Sequence, residues 1–450
     1  SLKSEVWRPI RKTELPQLHR AIGLRQLTAG IINATIGAGI FVLPAAVAAG
    51  LGPAAPLAYL ACAALMALIV LCFAAAGSRV SLTGGLYVYI EVAFGPLIGF
   101  LAGVLYWLMA AFAAASVASA LAGSLGVTWA GLNSAIPRGV VLVALFAVLA
   151  AVNVRGVTAG TRLVEVLTAA KLLPLVVLVV SGAWFVRLEY LQWSSLPSPS
   201  AVGASSLVLY YAFAGVEVAL APSGEIRDPA RTVPRAVLLA LAITTTLYLL
   251  VQGVAQGLLG PSLSTYAAAP LAEAASRVLG PVGRVLVLSG AAVSMFGYVS
   301  GDLLGSPRAL YALGRDGLLP AALGRIHPRF HTPHIAIITY AVLVAALAIS
   351  SSFTTLAVLS NVAALTLYLL CVAASYELAR RDVRMAGAPF ALPGGPTIPV
   401  MAAVVILWLL SQATFREFAV EATVLAAATL FYLARRRTQQ DAGRHEAAVP

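Results

Sequence analysis

Three ionisable residues stand inside long apolar stretches of this sequence and are the first candidates for chemistry. They are Lys171, Glu217 and Asp302. A charge within a bilayer costs about 3 kcal/mol or more unless it is paired, neutralised or in contact with water, so such residues are usually functional. We therefore consider them for proton transfer, ion binding and recognition of a charged solute. Snorkelling to a helix end is the structural alternative for Lys171.

Two apolar stretches are interrupted by glycine where the backbone itself can act. Residues 36–40 read IGAGI and residues 211–217 read YAFAGVE. A membrane helix is unwound only where its freed backbone groups face protein, water or a ligand. Freed amides beside the start of a half-helix suit a carboxylate, and freed carbonyl groups suit an ammonium group. The pair predicts a solute site at mid-membrane, with close glycine-mediated helix packing as the alternative.

The composition assigns these stretches to an integral membrane protein. Hydrophobic residues make up 60% of the 450-residue chain, charged residues 10%, and the mean hydropathy is +0.93. A water-soluble chain of this length does not have such values. We predict an all-α fold with twelve transmembrane helices, at about residues 26–50, 54–77, 95–122, 139–153, 163–186, 203–222, 236–259, 285–305, 334–350, 354–376, 398–414 and 418–434.

Positive charge is distributed unevenly between the two sides that twelve spans define. Most of the 29 lysines and arginines fall on the side that holds both termini, and the opposite loops contain only Arg138, Arg187, Arg277, Arg284 and Arg416. The positive-inside rule then predicts cytoplasmic tails at residues 1–20 and 435–450. We interpret the net charge of +12 as the result of this membrane topology, with basic runs that contact acidic lipid at the membrane surface. The sequence contains no nucleic-acid-binding motif.

The two interrupted helices also suggest how the chain is organised. The first leads five spans within residues 21–186, the second leads five spans within residues 201–378, and two additional helices follow at 397–434. This order is expected of an inverted repeat. The alternative, two six-helix halves divided near residue 234, leaves the interruptions at unrelated positions.

Five segments, in order, resemble the amino acid–polyamine–organocation superfamily. They are residues 30–44, 83–89, 211–229, 233–236 and 306–320. Members of this superfamily share the fold of the bacterial sodium-coupled leucine transporter. The resemblance implies a five-plus-five inverted repeat, with the first and sixth helices unwound, and transport of amino acids.

By this resemblance, backbone groups of the two breaks hold the ends of an amino acid. The carboxylate is expected at the amides of Gly37, Ala38 and Gly39. The amine is expected at the carbonyl groups of Thr35, Ile36, Tyr211, Phe213 and Ala214. Relatives carry a serine where this chain has Ala38, so the backbone must do more of the holding here. The Tyr211 side chain matches an aromatic residue that closes over the substrate in relatives, or else it only packs.

The resemblance also gives Lys171 a role. In relatives with a lysine here, the ammonium lies where sodium-coupled members bind a sodium ion, touching carbonyl groups of the first break and a group on the eighth helix. Two hypotheses follow: Lys171 carries a coupling proton, or it is a fixed positive charge that substitutes for sodium in an exchanger. Both imply transport without sodium.

Glu217 and Asp302 bear on the choice of substrate. Glu217 matches a glutamate of several basic-amino-acid and polyamine exchangers, whereas Asp302 replaces an aromatic or small polar residue of relatives. Two carboxylates at the side-chain end of the pocket favour lysine, arginine, ornithine or a polyamine. In the structural alternative, Lys171 pairs with Asp302 and Glu217 bonds neighbouring backbone, which leaves a small neutral amino acid as the substrate.

The expected function is sodium-independent secondary transport of amino acids by proton symport or exchange. The alternatives are a cationic amino acid or polyamine antiporter and a non-transporting sensor; a channel would need a continuous polar stripe. The sequence has no catalytic signature, so we expect no enzyme activity and no cofactor or metal, and His327, His331 and His334 are interpreted as solvated loop residues. The expected partners are an amino acid or related amine, protons and lipid of the plasma membrane.

Overall fold

The computed structural model describes residues 23–80, 85–155, 161–193, 195–217, 226–315, 319–385 and 389–447, and within them it is helical without strands. The first eight helices are α1 (Leu24–Thr35), α2 (Ala38–Leu51), α3 (Pro56–Arg79), α4 (Leu86–Phe94), α5 (Pro96–Thr128), α6 (Ala135–Arg155), α7 (Thr161–Gly182) and α8 (Pro199–Leu209). The remainder are α9 (Pro229–Leu259), α10 (Pro270–Gly305), α11 (Pro307–Arg315), α12 (His334–Ser350), α13 (Phe353–Arg380), α14 (Thr397–Leu410) and α15 (Phe415–Ala447).

Most of these helices are long and apolar enough to cross a bilayer. Among the described residues, seven helices meet the length and composition of a span, and the bent pair α1–α2 makes an eighth. Shorter apolar helices occur at Lys171–Phe185, His334–Ser350 and Thr397–Leu410. Together with α8, these elements overlap the twelve predicted spans, although the end of the sixth, residues 218–222, lies outside the described residues. The prediction of an all-α, multi-pass membrane protein is confirmed.

The first interruption separates α1 from α2. Helix α1 ends at Thr35 and α2 begins at Ala38, and their axes differ by 52°. Between them, Ile36 has an extended conformation (φ −77°, ψ 93°) and Gly37 departs further from helical angles (φ −123°, ψ −147°). The helix therefore breaks at the glycine-containing segment that the sequence singled out.

The second interruption follows α8. This helix ends at Leu209, a 3₁₀ turn covers Tyr210–Ala212, and helical structure resumes at Val216 before the described residues end at 217. Gly215 has φ +116°, a conformation that side chains with a Cβ rarely adopt. Both predicted interruptions are thus present in the backbone.

The packing of the long helices follows the predicted repeat: adding five to a span of the first half, or subtracting five from one of the second half, converts one helix pair into another. Helix α5, the third predicted span, packs against α13, the tenth, and α7, the fifth, packs against α10, the eighth. Helices α3 and α9, the second and seventh spans, also pack together. Such exchanged pairing is what a five-plus-five repeat requires, although the domain division itself stays a prediction.

A loop ties the carboxyl end of α3 to the connection between α13 and α14. Arg79 donates a hydrogen bond to the Val383 carbonyl at 3.3 Å and lies 3.6 Å from the Asp382 carboxylate. The Met385 amide donates to the Arg79 carbonyl at 3.0 Å, and the Phe390 amide donates to the Ser78 hydroxyl at 2.9 Å. These four contacts, which we call the α3 latch, join parts of the chain about 300 residues apart.

Of the two predicted tails, only the carboxyl-terminal one lies among the described residues, and most of it is helical. Helix α15 continues to Ala447, whereas the apolar pattern predicted its end near residue 434. The apolar pattern indicates which residues are buried, and it stops near residue 434. The alanines, arginines and glutamines beyond that point have high helix propensity, so the helix continues without an apolar face. The predicted tail at residues 1–20 lies outside the described residues. The three cysteines, Cys62, Cys72 and Cys371, are buried and form no disulfide.

Candidate functional site

The two interruptions touch each other at the centre of the fold. A Cβ atom built on Gly39 would lie 2.8 Å from the Cα of Ala212, and one built on Gly215 would lie 2.6 Å from the Ala34 carbonyl oxygen. Real Cβ atoms essentially never approach so closely, so glycine is needed at both positions. The geometry brings the two breaks together, as a shared site requires.

The amino-terminal end of α2 is one half of this site. Gly37 is the N-cap, and no side chain caps the amides that follow it. Ala38 and Gly39 are buried in the first turn. Because a helix carries partial positive charge at this end, the predicted amides of Gly37, Ala38 and Gly39 present a field that suits an anion.

The carboxyl-terminal end of α1 is the opposite half. The Lys171 ammonium donates a hydrogen bond to the Asn33 carbonyl, and the Tyr248 hydroxyl donates to the Thr35 carbonyl at 3.3 Å. Lys171 is only 8% exposed. Its positive charge therefore lies at the partially negative end of α1, where it is stabilised. The Thr35 hydroxyl is buried and has no protein partner.

Tyr248 of α9 joins the two breaks directly. Its hydroxyl contacts the Ala212 carbonyl at 2.9 Å in addition to that of Thr35, and its ring stands edge-on to Phe213 at 5.4 Å. The sequence analysis did not single out this residue. The available signal was a tyrosine in the middle of an apolar helix, where a hydroxyl needs a partner.

Tyr211 extends from the second break towards two other helices. Its hydroxyl donates to the Ala113 carbonyl of α5 at 3.0 Å, and its ring stands edge-on to Phe353 of α13 at 5.7 Å. These contacts are those of a packing aromatic residue. The predicted role as a cover over the substrate stays a prediction.

Asn361 is a second site residue that the sequence analysis missed. From α13 its side-chain amide donates to the Leu207 carbonyl at 2.6 Å, in the last turn of α8. The residue is buried. It ties α13 to the interrupted end of α8, where backbone carbonyl groups begin to lose their helical partners.

Glu217 bonds the backbone of its own break. Each of its carboxylate oxygens lies 3.1 Å from the Gly215 amide nitrogen, which donates to them, and the residue is 5% exposed. This contact is the one that the structural alternative predicted. It fixes the conformation in which Gly215 approaches Ala34.

Asp302 joins the carboxyl end of α10 to α12. One carboxylate oxygen accepts from the Ser306 hydroxyl and the other from the Tyr340 hydroxyl of α12, each at 2.7 Å. The ion pairs of the described residues do not include one between Lys171 and Asp302, and the acceptor described for Lys171 is the Asn33 carbonyl. Tyr340, a residue that the sequence analysis missed, supplies the donor, and its ring also contacts Trp107 at 6.0 Å.

The histidines form a compact loop of their own. His327 accepts hydrogen bonds at Nδ1 from the amides of Arg329 and Phe330, at 3.2 and 3.3 Å, and its ring lies 5.0 Å from that of His334. Among the described residues, no group of three histidine, cysteine or acidic side chains is placed to hold a metal ion.

Fold and site together define a class: a multi-pass helical membrane protein whose two interrupted helices meet at a central site. Comparison with known families identifies the particular group. A model of the amino acid permease family matches residues 22–440, and the chain belongs to this family. The family resemblance inferred from the sequence is therefore confirmed.

Three curated relatives show the range of proteins that the chain resembles. An uncharacterised transporter of Mycobacterium tuberculosis is 35% identical over 361 residues, 76% of each chain. A serine/threonine exchanger of Bacillus subtilis is 30% identical over 334 residues, 72% of this chain and 75% of the relative. A methylthioribose transporter of the same organism is 28% identical over 419 residues, 87% and 88% of the two chains.

Proposed function

We propose that the protein is a sodium-independent secondary transporter of amino acids. One observation carries the proposal: two interrupted helices meet, and the uncapped amides that begin α2 lie beside the carbonyl end of α1 at that contact. These groups match the carboxylate and the ammonium group of a zwitterion. Family membership and the serine/threonine exchanger among the relatives support the same substrate class.

Transport is proposed to proceed by alternating access. The bundle of the two interrupted helices with α3 and α9 rocks against a scaffold that includes α5, α10 and α13. Substrate binds the amides of Gly37, Ala38 and Gly39 and the carbonyl groups of the two breaks. No covalent bond is made or broken, which distinguishes this function from catalysis.

Lys171 is proposed to supply the positive charge that a sodium ion supplies elsewhere in this fold. Its contact with Asn33, at the end of α1, supports that role. Uptake of labelled amino acid into proteoliposomes, in sodium and in choline buffers, tests the proposal. Equal uptake in both buffers is expected, and strict dependence on sodium would contradict it.

The partners of the acidic residues favour a neutral substrate over a cationic one. Glu217 is bonded to Gly215, and both Asp302 oxygens accept hydroxyl groups, so each carboxylate is already engaged. Thermal stabilisation by each of the twenty amino acids, by polyamines and by methylthioribose ranks the candidates. A larger shift with lysine, arginine or putrescine than with serine would favour the antiporter alternative.

Counterflow separates a carrier from a sensor of the same fold. Liposomes preloaded with unlabelled substrate should accumulate the labelled form, with a proton gradient increasing uptake if the mode is symport. Binding without flux would instead indicate a sensor. We place the protein in the plasma membrane with both termini cytoplasmic, on the charge distribution between its loops.

A further inference from the structure

A row of buried polar side chains runs along α9. Its members follow one another at intervals of four residues and are at most 3% exposed: Thr244, Tyr248, Gln252 and Gln256. Residues four apart lie on one face of a helix, so this α9 row extends about 18 Å along the helix axis. Inside a bilayer, each of these polar groups needs a hydrogen-bond partner.

Both glutamines of the α9 row are held at one end of the amide group. The Tyr59 hydroxyl of α3 donates to Gln252 Oε1 at 3.0 Å. Gln256 Nε2 donates to the Gly260 carbonyl, at the carboxyl end of α9, at 3.2 Å. These contacts fix the two side chains, so neither amide turns to bond the other.

The other end of each amide group is buried and unpaired. Gln252 Nε2 and Gln256 Oε1 have no hydrogen-bond partner within the part of the chain that the structure describes. The first is a donor and the second is an acceptor. Residues four apart on a helix have Cβ atoms about 5–6 Å apart, a separation that one water molecule bridges by accepting from the donor and donating to the acceptor.

A third unpaired group lies on a neighbouring helix. The Ser206 hydroxyl of α8 is buried and likewise lacks a partner among the described residues. Cys62, three residues after Tyr59 and on the same side of α3, donates to the Ser206 carbonyl at 3.4 Å. Ser206 and Gln252 therefore contact one side of α3. A buried water molecule typically makes about three hydrogen bonds, which is the number of unpaired groups here.

We propose that an internal water molecule binds between Gln252 and Gln256, with the Ser206 hydroxyl as its third partner. It completes a series of hydrogen bonds from Tyr59 of α3, through both glutamines, to the Gly260 carbonyl at the end of α9. Without it, each buried unpaired group would cost about 1–3 kcal/mol. The site lies one helical turn beyond Tyr248 and is separate from the backbone groups proposed to hold substrate.

Radiolytic labelling of the purified protein in ¹⁸O-water tests the proposal, with mass spectrometry as the readout. Hydroxyl radicals generated from a bound water molecule oxidise the side chains beside it, including side chains that bulk solvent does not reach. Tyr59 is fully buried, so oxidation of its ring reports internal water. We expect clear labelling of Tyr59 in the wild type, with the exposed Tyr376 as the reference for bulk solvent.

One variant removes the acceptor and leaves the contact between Tyr59 and Gln252 in place. Gln256→Met substitutes an apolar side chain of similar size, and labelling of Tyr59 should fall several-fold while that of Tyr376 is unchanged. Asn153→Leu is the control, because its buried amide also donates to a single helix carbonyl, that of Leu149 in α6, at 2.8 Å. It should leave the labelling of Tyr59 unchanged. Gln252→Met removes the donor and is used if Gln256→Met does not elute as a monodisperse protein.

Two results would overturn the inference. Equal labelling of Tyr59 in the wild type and in a folded methionine variant would show that the glutamines hold no water molecule. Absence of labelling in the wild type would show that the two amides bond each other directly. Labelling needs no substrate, so a failure of the amino acid panel to stabilise the wild type would count against the proposed function alone.

Discussion

Lys171 places a buried positive charge against the carbonyl end of α1, and its replacement separates two roles. Lys171→Met removes the donor and leaves the Asn33 carbonyl without it, at a cost of about 1–3 kcal/mol. We expect uptake to fall about tenfold or more. Lys171→Arg keeps a charge that does not titrate, so exchange should persist while accumulation driven by a proton gradient is lost.

The measurement is uptake into proteoliposomes under exchange and under a proton gradient. Arg155→Gln, at the exposed end of α6, serves as the control for loss of a positive charge elsewhere. Full gradient-driven accumulation by Lys171→Arg would exclude Lys171 as the proton carrier. Unchanged uptake by Lys171→Met would exclude both roles.

Tyr248 bridges the two breaks through one hydroxyl group, so its removal should weaken the site as well as the fold. Tyr248→Phe is expected to lower the free energy of unfolding by about 1 kcal/mol and to weaken substrate binding. Ser375→Ala is the control, because it also loses one buried hydroxyl bond, at 2.7 Å to the Val372 carbonyl within α13. Thermal shift with and without substrate measures both effects. Equal substrate affinity in the two variants would contradict the bridging role.

Local sequence identifies some of these residues and not others. Lys171 and the two breaks are recognisable because a charge or a glycine inside an apolar stretch is anomalous wherever it occurs. The partner of Asp302 is Tyr340, 38 residues further on, and no local pattern encodes that distance. Tyr248 and Asn361 were missed for the same reason, since their partners are backbone groups on other helices.

At the scale of helices, the contact between the interruptions depends on Gly39. Gly39→Ala would place a methyl group 2.8 Å from the Ala212 Cα, so the two breaks must separate. We expect loss of substrate binding together with a destabilisation of about 1–3 kcal/mol, as for other overpacked sites. Isothermal titration and thermal unfolding measure the two effects.

Gly30→Ala, in α1, is the control for this variant. An added Cβ there meets no atom within 4 Å, and alanine is a better helix former than glycine. It should bind substrate normally and unfold at the same or a higher temperature. Normal binding by Gly39→Ala would show that the contact between the breaks is not required.

Hydropathy located the helices well and their ends less well. His334–Ser350 was predicted to the residue because turn residues bound the apolar run on both sides. Helix α10 starts at Pro270, about fifteen residues before its predicted span, and bends at Gly280, where φ is +60°. Its first turns contain charged and small residues, so the mean hydropathy over a membrane-length window is too low there to predict a span.

For the whole molecule, the α3 latch joins a helix of the proposed moving bundle to the connection between α13 and α14. If the bundle rocks, these contacts must break or move, so Arg79→Ala should destabilise the conformation described here by about 1 kcal/mol. Hydrogen exchange at the amides of Met385 and Phe390 should become faster. Unchanged exchange there would show that the latch contributes nothing to this conformation.

The ion pair of the latch should not confer pH dependence. The Arg384 guanidinium, which bonds Asp382, and Arg79 hold the pKa of that carboxyl below its usual value. A lowered pKa means that the stabilisation is complete above the ordinary pKa and is lost only as the pH falls through the lowered one. Between about pH 5 and pH 8 Asp382 therefore stays ionised, and Asp382→Asn should leave the shape of the pH–uptake profile unchanged. An altered profile would contradict this assignment.

The burial of Cys62, Cys72 and Cys371 has a practical consequence for following these motions. Maleimide dyes react with accessible thiolates, so the native chain should incorporate little label. Single cysteines introduced at exposed positions such as Val140 and Tyr376 would then be the principal points of attachment. Fluorescence changes between such probes can be recorded on a protein that keeps all of its own thiols.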